Sequence, residues 1–117
     1  MASWQAHFVS FALRHAFKPR LARSKNARHA RAIMNSGRIE TPADVEITQT
    51  TLAGVPAERV EPQSGPVAGI LVYLHGGGYF GCSARTHRAY TASFARQGFR
   101  VFAPDYRLAP ENPFLPR

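Results

Sequence analysis

One stretch of the chain concentrates residues able to do chemistry: His75-Gly76-Gly77-Gly78-Tyr79-Phe80-Gly81, set between an apolar run and a helical pattern. Without Cβ atoms, consecutive glycines adopt backbone conformations closed to other residues and let their N–H groups approach a ligand closely. Two kinds of ligand suit such amides. In acyl transfer the carbonyl oxygen becomes an anion in the tetrahedral intermediate, and N–H donors already in place stabilise it; losing one donor typically costs about 3 kcal/mol of barrier. A pyrophosphate is the second. The stretch satisfies G-x-G-x-x-G, and Asp105 lies 24 residues past Gly81, where a ribose-binding acid would stand. Tyr79 and Phe80 count against the pyrophosphate, because they put bulk where a dinucleotide-binding helix must begin and pack closely on its sheet.

The elements that must position this loop lie on both sides of it. Before it, residues 69–74 (Gly-Ile-Leu-Val-Tyr-Leu) form an unbroken apolar run of strand length, the pattern of a parallel strand covered on both faces. After it, the spacing predicts a helix over 86–97 with His87, Tyr90 and Phe94 inward, Gly98 in the left-handed position that ends it, and a strand over 99–103. Strand, loop, helix and strand in that order make a βαβ unit with a right-handed crossover. Upstream, Val45, Ile47, Gln49 and Thr51 alternate with Glu46, Thr48 and Thr50 as a half-exposed strand does. A turn at 53–56 leads to a second, mostly polar strand over 57–61, and the pair predicts an antiparallel sheet edge. At the N-terminus two amphipathic helices are expected, over 3–17 and 20–35, with Pro19 between them. Trp4, Phe8, Phe11, Ala12 and His15 share one face of the first. In the second, Ala22, Ala30, Ile33 and Met34 oppose Arg20, Lys25, Arg28 and Arg31.

Composition narrows the class. At 117 residues and 44% apolar, the chain is one domain at most and too hydrophobic to be disordered. Its single thiol, Cys82, excludes a disulfide framework, and no Cys/His spacing suits structural zinc, so no metal is expected. No apolar run has membrane-spanning length and residues 1–14 lack a signal-peptide pattern, which points to a soluble protein of a reducing, cytoplasmic compartment without stable membrane insertion. The formal charge of +8 is wholly N-terminal. Residues 1–38 carry eight basic side chains (Arg14, Lys18, Arg20, Arg23, Lys25, Arg28, Arg31 and Arg38) and no acid.

Two long blocks, with a short segment between them, make the sequence recognisable. Tyr73-Leu74-His75-Gly76-Gly77-Gly78-Tyr79, then Thr86-His87-Arg88, then Asp105-Tyr106-Arg107-Leu108-Ala109-Pro110-Glu111-Asn112-Pro113-Phe114 resemble the hormone-sensitive-lipase-like branch of the α/β-hydrolases, in the family's order and spacing. The resemblance implies an α/β fold: residues 1–38 as a helical cap segment and 39–117 as the N-terminal part of the hydrolase core. It also implies an oxyanion loop over His75, Gly76, Gly77 and Gly78. In it Gly77 and Gly78 donate, Gly76 allows the turn, and His75 orients the loop by hydrogen bonding. By the same resemblance Tyr79 and Phe80 wall the acyl pocket, Asp105, Arg107 and Glu111 brace the loop from beneath as a partly buried polar set, and the substrate is a small-molecule ester or lactone with no cofactor and no nucleic acid. The family commonly has glycine where this sequence has Cys82.

Some of the family's parts are missing from the sequence. Its nucleophile stands in a G-x-S-x-G elbow, and none of Ser3, Ser10, Ser24, Ser36, Ser64, Ser83 and Ser93 is flanked that way. One parallel strand after the loop also leaves the sheet without a neighbour on one side. These features lead to the expectation of an N-terminal fragment, inactive alone for want of the catalytic Ser, Asp and His. Cys82 beside His75 or His87 has no third orienting group, so it reads as a small filler rather than a nucleophile. The alternative from another class is a non-catalytic remnant or binding module whose basic amphipathic N-terminus contacts an anionic surface.

Overall fold

The computed structural model describes residues 3–37 and 39–113. Arg38 of the basic N-terminal set and Phe114 of the second family block lie outside the described residues. Helix α1 (Trp4–Ala12) starts at Ser3, whose hydroxyl accepts the Ala6 N–H at 3.3 Å. The expected break at Pro19 does not occur. The chain widens to a π-helical turn over Leu13–Phe17 and continues as α2 (Lys18–Ala22), with Pro19 in its first turn. A proline cannot supply the fourth-back hydrogen bond, and a wider turn just before it absorbs that loss without ending the helix. The break comes instead before α3 (Ala27–Met34), which Asn26 caps by accepting the His29 N–H at 2.8 Å.

Four strands form one sheet in the order β1-β2-β4-β3, from β1 (Val45–Leu52), β2 (Val55–Pro62), β3 (Gly69–Val72) and β4 (Phe99–Pro104). β1 and β2 close a hairpin over Ala53-Gly54, both at positive φ (49° and 79°), the geometry that matches strand twist in a two-residue turn. β4 runs antiparallel to β2 and parallel to β3. The antiparallel pair is therefore not simply an edge: β2 is an interior strand, and its Ala57, Glu58 and Val60 are buried despite the polar look of its sequence. A 3₁₀ turn at Arg85–His87 leads into α4 (Arg88–Arg96), which crosses one sheet face before Gly98 (φ 93°) ends it. Its buried side is Thr91, Ala92 and Ala95, small residues that let the helix approach Val45, Val60 and Val101. The expected inner residues differ accordingly: Phe94 packs partly on this core, while Tyr90 is exposed.

Glu58 shows why β2 tolerates a buried acid. Its carboxylate takes two hydrogen bonds from Arg88, Nε at 3.0 Å and a terminal nitrogen at 2.6 Å, and a third from the Gln49 amide at 3.0 Å. The pair locks the first turn of α4 to the sheet. The apolar run of β3 behaves differently from expectation. Leu71 packs on the core, but Ile70 (69% exposed), Val72 and Leu74 face outward, so only one face is covered. Among the described residues no strand pairs with the outer edge of β3, and none is a helix long and apolar enough to cross a membrane.

Candidate active site

Tyr73 extends the β3–β4 ladder by donating to the Phe102 carbonyl at 2.8 Å, and the glycine loop leaves the sheet directly after it. The loop's peptide planes are pinned one after another from their carbonyl sides. The His75 carbonyl accepts from the Tyr106 hydroxyl. The Gly76 carbonyl lies 2.9 Å from His75 Nδ1, which requires the proton on Nδ1 because a carbonyl only accepts. The Gly77 carbonyl accepts the N–H groups of Phe80 (3.3 Å) and Gly81 (3.0 Å). In a trans peptide each carbonyl and the next N–H point opposite ways. Holding the carbonyls of residues 75, 76 and 77 thus turns the amides of Gly76, Gly77 and Gly78 to the other side. Among the described residues none of these three amides donates to another backbone group.

Conformation explains the glycines individually. Gly77 sits at φ 130° and Gly78 at φ 63°, and a Cβ on Gly77 would stand 2.2 Å from the Gly81 carbonyl oxygen. Tyr79 and Cys82 also adopt positive φ (63° and 64°), so the turn carries strain at two non-glycine positions. Beside the loop opens a cleft of about 1030 Å³, lined by residues 75–79 with Leu74, Tyr106, Arg107 and Asn112. Tyr79 lines it and is exposed. Phe80 is outside the lining, and its ring packs back over Gly78.

His75 is 3% exposed and stacks on Tyr106 with ring centroids 4.4 Å apart. Its Nε2 has no hydrogen-bond partner among the described residues and lies 3.9 Å from Asp105 Oδ1. Burial raises the Tyr106 phenol above its ordinary range, which keeps it a neutral donor to the loop. The polar set expected beneath the loop separates into different tasks. Asp105 accepts the Ala84 N–H at 2.7 Å and fixes the turn after the loop, Arg107 faces the cleft exposed, and Glu111 pairs with α3. Within this segment the residues that brace the loop are Tyr106 and Ala109, whose N–H donates to the Tyr79 carbonyl at 2.8 Å.

Comparison with known proteins agrees with this fold. A family model described as the alpha/beta hydrolase fold matches residues 71–116. An esterase of Acinetobacter venetianus is 38% identical over 71 residues, which are 60% of this chain and 23% of that protein. A crystal structure described as a hormone-sensitive lipase from a metagenome library is 34% identical with a TM-score of 0.72, over 92% of this chain and 36% of its own. The EstE5–PMSF crystal structure superposes with a TM-score of 0.83 at 31% identity, covering 97% of this chain and 39% of that one. The chain has the α/β-hydrolase fold. Its sequence is similar to hormone-sensitive-lipase-like esterases, and it spans about a quarter of the Acinetobacter esterase it matches.

Part of the candidate site has no signal in the sequence. Periodicity places Arg31 on a solvated face of the second helix, yet its guanidinium turns to the loop: Nε donates to the Phe80 carbonyl at 2.6 Å and a terminal nitrogen to the Ala109 carbonyl at 2.6 Å. Its partners lie 49 and 78 residues away, beyond any local pattern. Tyr106 stood inside a quoted motif without a role, and its hydrogen bond to a loop carbonyl carries no signal in residue spacing.

Proposed function

We propose that this chain supplies the oxyanion loop and part of the acyl pocket of a carboxylic-ester or lactone hydrolase. The observation that carries the reading is the pinning of three successive loop carbonyls, which leaves the amides of Gly77 and Gly78 free to receive the oxygen of a tetrahedral intermediate. His75 orients the loop through Nδ1–H, Gly77 and Gly78 rather than the expected Gly76 take the positive-φ conformations of the turn, and Tyr79 forms one wall for the acyl group. Phe80 stiffens the floor from behind Gly78 rather than facing substrate. The acyl acceptor is a serine that no G-x-S-x-G segment of this sequence provides. The chain by itself therefore turns over no ester, and a soluble, cytoplasmic setting fits its single thiol.

The test has two arms. The purified chain, assayed with p-nitrophenyl butyrate, is expected to match a boiled control; turnover above it contradicts the inactive-alone reading. A fusion of residues 1–113 to the remaining part of the Acinetobacter esterase is expected to hydrolyse the same ester, and failure of a well-folded fusion counts against the loop assignment.

A second reading keeps a specific observation. Trp4 (74% exposed), Phe8 and Phe11 stand out from α1 beside the basic side chains of α2, as in a helix lying on an anionic surface. A salt-sensitive blue shift of Trp4 emission on adding phosphatidylglycerol vesicles supports it, and unchanged emission removes it.

A further inference from the structure

Cap helix and glycine loop meet along a seam that the chemistry above does not use. Arg31, Met34 and Asn35 lie at i, i+3 and i+4, one face of α3 and its C-terminal cap. Each holds a successive residue after the loop. Arg31 Nε donates to the Phe80 carbonyl at 2.6 Å. Met34 packs so close to Gly81 that a Cβ there would stand 2.8 Å from its sulfur. The Asn35 side-chain oxygen accepts the Cys82 N–H at 3.1 Å. Arg31 reaches further, to the Ala109 carbonyl at 2.6 Å and to Glu111 at 2.7 and 3.3 Å, so one planar fork spans the loop and the segment beneath it.

We propose that Arg31 is a positioning residue that sets the direction of the Gly78 amide. The path is short and covalently linked. Arg31 fixes the Phe80 carbonyl, and residues 80 and 81 present their N–H groups to the Gly77 carbonyl. The Gly77 carbonyl shares its peptide plane with the Gly78 N–H. The catalytic meaning of this rests on reading Gly78 as an oxyanion donor, whereas the linkage itself does not. Glu111 orients the guanidinium but touches neither loop carbonyl, so charge pairing and loop positioning are separable. A lysine keeps the charge but, as a point donor, cannot serve three acceptors in one plane.

Amide spectra of the whole chain test the linkage without any substrate. Arg31→Met is expected to displace the Gly78 and Gly81 amide resonances. It should also speed Gly81 hydrogen exchange by about tenfold, the size expected for loss of one charge-assisted hydrogen bond, while α4 amides keep their protection. Arg31→Lys, which retains the pairing with Glu111 should the methionine variant fail to fold, is expected to show the same displacement. Glu111→Gln leaves both loop carbonyls bonded and is expected to leave Gly78 in place. Unmoved Gly78 and Gly81 resonances in both Arg31 variants overturn the proposal, as does a Glu111→Gln shift as large as that of Arg31→Met. Titrating the unaltered chain with butylphosphonate tests the oxyanion reading separately: absence of binding there, with Gly78 displaced in the Arg31 variants, sinks that reading and leaves the positioning role standing.

Discussion

Replacing Gly77 by alanine separates a glycine required by geometry from one that is not. At Gly77 an added Cβ meets backbone on two sides: the Gly81 carbonyl oxygen at 2.2 Å and its carbon at 2.6 Å, with Cys82 Cβ at 3.0 Å. The first contact is about 1 Å short of ordinary packing, and backbone atoms cannot rotate aside. The φ of 130° adds strain of about 1–3 kcal/mol, and the overpacking about 1–3 kcal/mol more. The expected loss is about 2–6 kcal/mol if the turn is kept, large against a domain stability of about 5–15 kcal/mol. If the turn opens instead, the loss is smaller and the Gly77 carbonyl gives up its bonds to Phe80 and Gly81. Gly76 is the control. Its nearest atom would be His87 Nε2 at 3.9 Å, so Gly76→Ala is expected to stay within about 0.5 kcal/mol of the parent. Urea unfolding followed by circular dichroism, with the Gly81 amide as local probe, distinguishes the cases. Equal stability for the two variants, with Gly81 unmoved in both, refutes the reasoning.

Other perturbations follow from the same contacts. Glu58→Ala leaves the half-buried Arg88 guanidinium without its carboxylate and is expected to cost about 1.5–3 kcal/mol in urea unfolding; a loss below about 1 kcal/mol contradicts a structural role for the pair. The Arg31 guanidinium, hydrogen-bonded to Glu111, holds that carboxyl at about 2, below its ordinary 4.5. A depressed carboxyl stabilises the fold above its unfolded value and loses that contribution as pH falls through the folded one. Stability is thus expected to decline from pH 4.5 toward 2, and Glu111→Gln to flatten its share of the decline; Asp44, lowered by Arg96, contributes in the same sense. The open edge and outward face of β3 are expected to promote self-association, and Ile70→Lys with Val72→Glu to reduce it in sedimentation velocity runs.

Much of this arrangement was legible because it is local. The turn at 53–56 between an alternating and a mostly polar segment marks the hairpin, Gly98 marks the end of α4, and His75 to Gly78 marks a loop able to present amides. The quoted motif blocks carried the likeness to the α/β-hydrolase fold. Features that depend on distant partners were not legible. The polarity of β2 hid an interior strand, because its acid is neutralised by Arg88, 30 residues on. Periodicity assigned Arg31 to solvent since it registers the direction of a Cα–Cβ bond and not the reach of a guanidinium. Pro19 read as a stop because the π-helical turn that accommodates it has no residue signature. The run of β3 promised two covered faces, and the described residues cover one.

The most direct measurement is a titration of the amide resonances of Gly77 and Gly78 with butylphosphonate, a tetrahedral oxyanion mimic, and separately with NADH. Saturable displacement of both amides by the phosphonate, with neither moved by NADH, is the expected result. Amides with the small temperature coefficients of internally bonded groups, or amides that respond to the dinucleotide instead, contradict the account.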